Sequence, residues 1–234
     1  MVIKGLQKTT LLDYPGHVAA TVFLGGCNMR CPFCHNMDIV DCREDEGEYS
    51  REEVQNFLAS RKKILDGVCI TGGEPTLYKD LPDFIREIKD LGLKVKLDTN
   101  GTNPEMVKNL ANDGLIDYVA MDIKSSLKEY GKACGVPEIK LISIKETIDF
   151  LIGNKSVDFD YEFRTTVTKE YHNREVIDDI GKLITGAKNY YLQNFVDSEY
   201  VPNHTLNPAS KEELEEFSKI MATYVKHVEI RGEM

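Results

Sequence analysis

Apolar positions along the chain follow two periods. Short runs rich in β-branched and aromatic residues, at 19–24, 67–71, 94–98, 118–123, 160–167 and 189–195, predict strands. Helical spacing fills the intervals between them. Ser50, with Glu53 three residues on, predicts a capped helix through about Arg61. Across 80–91 the apolar residues Leu81, Phe84, Ile85, Ile88 and Leu91 share one helical face, and Gly92 stops the run. Asn103 caps a helix that has Pro104 at its first position and runs to about Asn112. Helices over 143–152, 173–183 and 210–227 complete the series, the last with Ser210 and Glu213 in a second capping box. Residues 228–230 read as an additional edge strand.

Six strand–helix units in a row imply a parallel sheet with helical crossovers. Two architectures fit: a partial (β/α)6 barrel and a doubly wound open sheet. Both place ligands at the C-terminal ends of the strands. No repeat and no linker interrupts the pattern, so one domain over residues 1–234 is expected.

Composition narrows the function classes. Lys and Arg number 29 against 39 Asp and Glu, a net charge of −10. That balance argues against a dedicated nucleic-acid binder and against a polybasic membrane anchor. No apolar run approaches the ~20 residues of a spanning helix. Met1-Val2-Ile3-Lys4-Gly5 lacks the apolar core of a signal peptide. A cytoplasmic protein, bound neither to nucleic acid nor to membrane, is the expectation. The acidic run 44–48 reads as a solvated loop.

The predicted strand ends carry the chemistry. Strand one is followed by the loop 25–36, Gly25-Gly26-Cys27-Asn28-Met29-Arg30-Cys31-Pro32-Phe33-Cys34-His35-Asn36. Strand two leads into Gly72-Gly73-Glu74-Pro75, strand three into Asp98-Thr99-Asn100-Gly101, and strand four into Asp122-Ile123-Lys124. Strand five contains Arg164 and strand six Gln193. Three of the six cysteines fall in the first loop with spacing three then two. Zinc usually takes four ligands, commonly as two Cys-x-x-Cys pairs, and no second pair exists. An iron–sulfur cube accepts three thiolates and leaves one iron open for chemistry. Cys69 lies in an apolar strand and reads as core, while Cys42 and Cys134 lack the spacing of a second cluster.

Cys-x-x-x-Cys-x-x-Cys with Phe33 before the last Cys, then Gly-Gly-Glu-Pro one strand later, resembles the radical S-adenosylmethionine enzymes. The resemblance implies the partial (β/α)6 barrel. It implies that Cys27, Cys31 and Cys34 hold a 4Fe–4S cluster whose fourth iron is chelated by S-adenosylmethionine. Gly72, Gly73 and Glu74 would receive the cofactor ammonium, and Phe33 would lie near the adenine. Cys-His-Asn after the cluster, with Asp98-Thr99-Asn100-Gly101 and Met121-Asp122-Ile123-Lys124, looks like the glycyl-radical-enzyme activating enzymes. The opening Gly5 to Gly16 is similar to the group that activates anaerobic ribonucleoside-triphosphate reductase; Tyr14 stands where formate-lyase activases tend to have Gly. Asn36 would then contact the cofactor. Asp98, Thr99 and Asp122 would form a cation site at its carboxylate. Lys124 and Arg164 would neutralise that carboxylate or reach the ribose, and Gln193 or Asn194 would take the place of a ribose-binding His. The implied activity is an oxidoreductase of class EC 1.97.1. It would cleave S-adenosylmethionine reductively and place a radical on a glycine of a partner enzyme. A low-potential donor such as flavodoxin or ferredoxin would supply the electron. A formate-lyase-type activase and a radical enzyme acting on a small molecule are the alternatives.

Overall fold

A computed structural model describes residues 1–42, 47–154 and 159–232. Its framework is one eight-stranded sheet: β1 (Ile3–Thr10), β2 (Ala19–Leu24), β3 (Gly67–Gly72), β4 (Lys94–Thr99), β5 (Tyr118–Asp122), β6 (Asp160–Val167), β7 (Asn189–Asn194) and β8 (His227–Arg231). Spatial order equals chain order. β1 pairs antiparallel with β2, and every later neighbour is parallel. A doubly wound sheet reverses its strand order at a switch point. Here no reversal occurs, so successive units wind in one direction, and the sheet is an open, partial barrel. No helix among the described residues is long and apolar enough to cross a membrane.

The strands match the expected ranges to within a residue at their ends, and the edge strand over 228–230 is extended by one residue on each side as β8. β1 was not expected. Its register slips twice against β2, so its side chains do not alternate cleanly in the sequence. Helices α1 (Arg51–Arg61), α2 (Leu81–Asp90), α3 (Pro104–Asn112), α4 (Tyr130–Ala133), α5 (Leu141–Gly153), α6 (Arg174–Leu183) and α7 (Lys211–Met221) cover the outer face. Both capping boxes form: the Ser50 and Ser210 hydroxyls accept from the Glu53 and Glu213 backbone N–H groups. Leu81, Phe84, Ile85 and Ile88 of α2 are fully buried. Each such side chain contributes about 2 kcal/mol of apolar burial.

One helix boundary is corrected. The run over 210–227 breaks at Met221, because Tyr224 is drawn into a turn by other elements. Its carbonyl accepts from the Gly186 N–H at 2.8 Å, and its hydroxyl donates to Asp178 at 2.7 Å. His227 consequently opens β8. The acidic residues 44–46 lie outside the described residues.

Apolar side chains of the strands pack outward under the helices, while the enclosed face of the sheet is polar. Residues two apart on a strand share a face. On β4 that pair is Lys96 and Asp98, and on β6 it is Glu162 and Arg164. Glu162 is fully buried near the N-terminal end of the strands. There it accepts from the Tyr118 hydroxyl at 2.8 Å and from both terminal nitrogens of Arg231 at 3.0 and 3.2 Å. Tyr14, 2% exposed, packs at the same end.

Candidate functional site

At the C-terminal ends of the strands lies a cavity of about 240 Å³. A hollow at the opposite end is larger, about 720 Å³, but holds no thiol. Chemistry rather than volume singles out the first. It is lined by Cys27, Cys31, Phe33, Cys34, Asn36, Gly72, Gly73, Asp98, Thr99, Asp122, Lys124, Arg164 and Gln193, all expected from the sequence. It also draws in Met29, His35, Val40, Thr71, Asn100 and Thr166.

The cysteine loop is held by backbone bonds from three sides. Gly26 and Cys27 N–H donate to the Ile39 and Val40 carbonyls, and Arg30 N–H donates to Cys134. From β3, the N–H groups of Gly73 and Glu74 donate to Leu24 and Gly26 at 2.8 and 2.9 Å. This seam explains the two glycines. Gly72 has φ +116°, and a Cβ on Gly73 would lie 1.9 Å from the Gly26 oxygen. The Gly72 carbonyl is not left bare: Asn36 Nδ2 donates to it at 3.0 Å. Asn36 therefore ties the end of the cysteine loop to β3.

Glu74 does not line the cavity. It is fully buried and accepts from Thr76 N–H and hydroxyl at 3.1 and 2.5 Å, Thr99 hydroxyl at 2.8 Å and Asn100 N–H at 2.6 Å. Burial raises its pKa above the ordinary value against the opposing pull of those bonds. Its carboxylate braces the end of β4. Phe33 is buried and meets the rings of Tyr171 and His172 edge-on, at 5.7 and 6.1 Å. His35 stacks on Phe195 at 5.7 Å and bonds through Nε2 to the Val196 carbonyl. Gln193 faces the cavity, whereas the Asn194 amide is spent on Ala209, to which it both donates and from which it accepts.

Burial raises the pKa of all three loop thiols, that of Cys31 to about 12, and Cys31 also feels Cys34 and Cys27. Three crowded sulfurs, with Lys124 as the cation that acts on all of them, fit a soft cationic centre among them. The residues present therefore suit an iron–sulfur cluster.

The wall across from the thiols is a row of alternating charges. Lys96 Nζ bonds Asp98 Oδ1 closely; Arg164 Nη1 reaches Asp98 Oδ2 at 3.2 Å; Arg164 Nε reaches Asp122 at 2.9 Å; Lys124 Nζ reaches Asp122 at 3.1 Å. Thr71 adds its hydroxyl to Asp98 Oδ2 at 3.1 Å. Burial is the largest single influence and works against both carboxylates, but Arg164 together with Lys96 at Asp98, and with Lys124 at Asp122, holds each below the usual range. The cation expected near Asp98, Thr99 and Asp122 would meet carboxylates that already have side-chain partners. Three side-chain cations already serve the two carboxylates, and the Thr99 hydroxyl is turned to Glu74. A further cation would enter a region of net charge +1, which instead suits an anionic group.

Lys96 and the Tyr171–His172 pair were not expected at the site. For Lys96 a signal existed. A strand predicted to be buried on both sides should be apolar throughout, yet 94, 96 and 98 are charged. Cys69 follows from the same fact: it is buried, as expected, but its Sγ lies 3.6 Å from Lys96 Nζ, in the polar interior. Tyr171 and His172 sit in a turn after β6 with no local signature. Cys42 and Cys134 stay clear of the cavity; Cys42 donates to Ile39 and Cys134 to backbone carbonyls.

Comparisons with known proteins give the family. The family model of the radical SAM superfamily matches residues 21–183. A Methanocaldococcus jannaschii protein, provisionally named a glycyl-radical enzyme activating enzyme, is 36% identical over 98% of this chain and 95% of its own. The pyruvate formate-lyase-activating enzyme of Clostridium pasteurianum is 28% identical over 91% of this chain and 86% of its own. Among solved structures, Streptococcus suis SuiB bound to S-adenosylmethionine superposes with a TM-score of 0.66 at 18% identity over 91% of this chain. This chain spans about half of SuiB, 52% of its length. QueE from Escherichia coli gives 0.52 at 15% identity, covering 99% of this chain and 92% of its own. Enzymes of the matched superfamily work with a 4Fe–4S cluster and S-adenosylmethionine. The chain belongs to the radical SAM superfamily and, within it, to the family of oxidoreductase-type enzymes that activate glycyl-radical enzymes.

Proposed function

We propose that this chain activates a glycyl-radical enzyme, most specifically an anaerobic ribonucleoside-triphosphate reductase, by generating the radical on a glycine of that partner. The carrying observation is one cavity lined both by three thiols, Cys31 buried and Cys27 and Cys34 half-buried, and by the Arg164–Lys124 charge row. Cys27, Cys31 and Cys34 would hold the cluster. When bound there, such a cluster would supply the one-electron reductive cleavage of S-adenosylmethionine that hydrogen abstraction from a glycine requires. Arg164 and Lys124 would receive the cofactor carboxylate, a charge-assisted contact that fixes its orientation. Gly72 and Gly73 would offer close backbone to its ammonium, Asn36 would close the entrance from the cysteine loop, and Phe33 and Gln193 would border the nucleoside. Asp98, Thr99, Asp122 and Glu74 would act by holding those groups in place. No general acid or base is required.

The choice of reductase rests on the resemblance of Gly5 to Gly16. That segment runs along β2 from beside Phe23 to the opposite end of the sheet, where Tyr14 is packed against Tyr118. It speaks for kinship, and it does not touch the cavity. A formate-lyase-type partner is the second reading, favoured by the likeness to the Clostridium protein. A low-potential donor of the flavodoxin or ferredoxin kind would supply the electron, in the cytoplasm of an anaerobic cell.

Anaerobic electron paramagnetic resonance tests the reading. The reconstituted, reduced protein is mixed with S-adenosylmethionine and the reductase of the same genome. A glycyl doublet on the reductase is expected, and it should vanish with Cys31→Ala. Formation of 5′-deoxyadenosine without the doublet would reject that partner and redirect the search to formate-lyase-like proteins and small molecules.

A further inference from the structure

Lys96 is the member of the charge row that does not line the cavity. Its side chain is 2% exposed. Burying an ammonium costs several kcal/mol unless a partner offsets it. Here the offset is Asp98, approached on Oδ1, with Cys69 Sγ at 3.6 Å as a second neighbour. The use of the two carboxylate oxygens is the informative detail. Lys96 occupies Oδ1, so Arg164 can reach Asp98 only through Nη1 to Oδ2. Its Nε goes to Asp122. Nη2 has no hydrogen-bond partner among the described residues, and Arg164 lines the cavity.

A guanidinium beside a carboxylate favours a two-pronged contact with both oxygens. With Oδ1 open, Arg164 would close onto Asp98 through both terminal nitrogens and turn Nη2 away from the cavity. Removing the ammonium would also leave Asp98, Arg164, Asp122 and Lys124 with two charges of each sign, abolishing the positive excess.

We propose that Lys96 is a positioning residue: by holding Asp98 Oδ1 it splits Arg164 between two aspartates, keeps Nη2 facing the cavity and gives the site its excess positive charge. This deepens the proposed function, because the anionic group so received is the carboxylate of S-adenosylmethionine. Lys96 itself touches neither ligand nor cluster.

The test uses Lys96→Met, which fills the space without charge, and Lys96→Ala, which leaves a hole beside Oδ1. In the reconstituted enzyme reduced by dithionite, the KM for S-adenosylmethionine should rise about tenfold in both, the worth of one charge-assisted contact. Turnover at saturating S-adenosylmethionine, read as release of 5′-deoxyadenosine, should stay nearly unchanged, as for an interaction shared by ground and transition states. Ammonium chloride should restore the KM of Lys96→Ala but not of Lys96→Met, and tetramethylammonium chloride at equal ionic strength should restore neither. In the chain without cluster, ammonium should raise the melting temperature of Lys96→Ala and leave the wild type and Lys96→Met unmoved. A wild-type KM in Lys96→Met would overturn the proposal. So would a defect in Lys96→Ala that ammonium leaves untouched, or failure of both variants to fold with ammonium present. A wild type that makes no 5′-deoxyadenosine would instead sink the proposed function, and the melting temperatures would still decide the role of Lys96.

Discussion

His172 shows how one residue behind the cavity sets a pH limit. Its Nδ1 accepts from the Thr168 N–H at 3.2 Å and its Nε2 faces the Lys124 carbonyl at 3.0 Å, so the neutral ring is satisfied on both sides. Burial lowers its pKa to about 4 from an ordinary 6.5. Between those values the unfolded chain binds the proton that the folded chain refuses. The stability is complete above pH 6.5 and drains as pH falls toward 4. Urea unfolding should show the wild type losing about 1.3 kcal/mol more than His172→Gln between about pH 7.5 and 5.5; equal losses would contradict this role. Such residues were hard to read. The cysteines announced themselves by spacing and the aspartates by their place at strand ends. His172 and Tyr171 reach Phe33 only through the tertiary path of the chain after β6, and Glu74 was legible as a residue of interest but not as an internal brace.

At the scale of elements, the seam between β3 and the cysteine loop carries the site. Gly73→Ala would force its Cβ against the Gly26 carbonyl. The variant should bind much less iron on anaerobic reconstitution. Gly92→Ala is the control: Gly92 also has positive φ, at +80°, but nothing lies within 4 Å of an added Cβ. It should lose only about 1 kcal/mol of stability and keep its iron. Comparable iron in both variants would show that the seam does not govern cluster binding. Elements governed by local chemistry were legible in the sequence. The two capping boxes, Asn103 before Pro104, and the apolar face of α2 fall where local rules put them. Elements governed by distant contacts were not. The end of α7 is decided by Tyr224 reaching Gly186 and Asp178, and the slips in β1 by its pairing with β2.

For the molecule as a whole, the periodic pattern announced the parallel sheet but not its polar interior, since burial on both sides of a strand is ordinarily apolar. Glu162 with Arg231 is the deepest instance. Arg231→Met would leave the Glu162 carboxylate buried without its cation and should cost about 3–5 kcal/mol in chemical unfolding. Adding Glu162→Gln should recover much of that loss, and a double variant no better than the single one would refute the pairing. This ion pair also bears on biosynthesis. Sheet order follows chain order, so each unit emerging from the ribosome can dock on the one before it. Glu162, however, waits 69 residues for Arg231. Until β8 has been translated and laid against β7, the nascent barrel carries at its base a carboxylate that lacks its Arg231 partner. Completion of the interior, and with it a settled setting for metal loading, is thereby deferred until translation has passed Arg231.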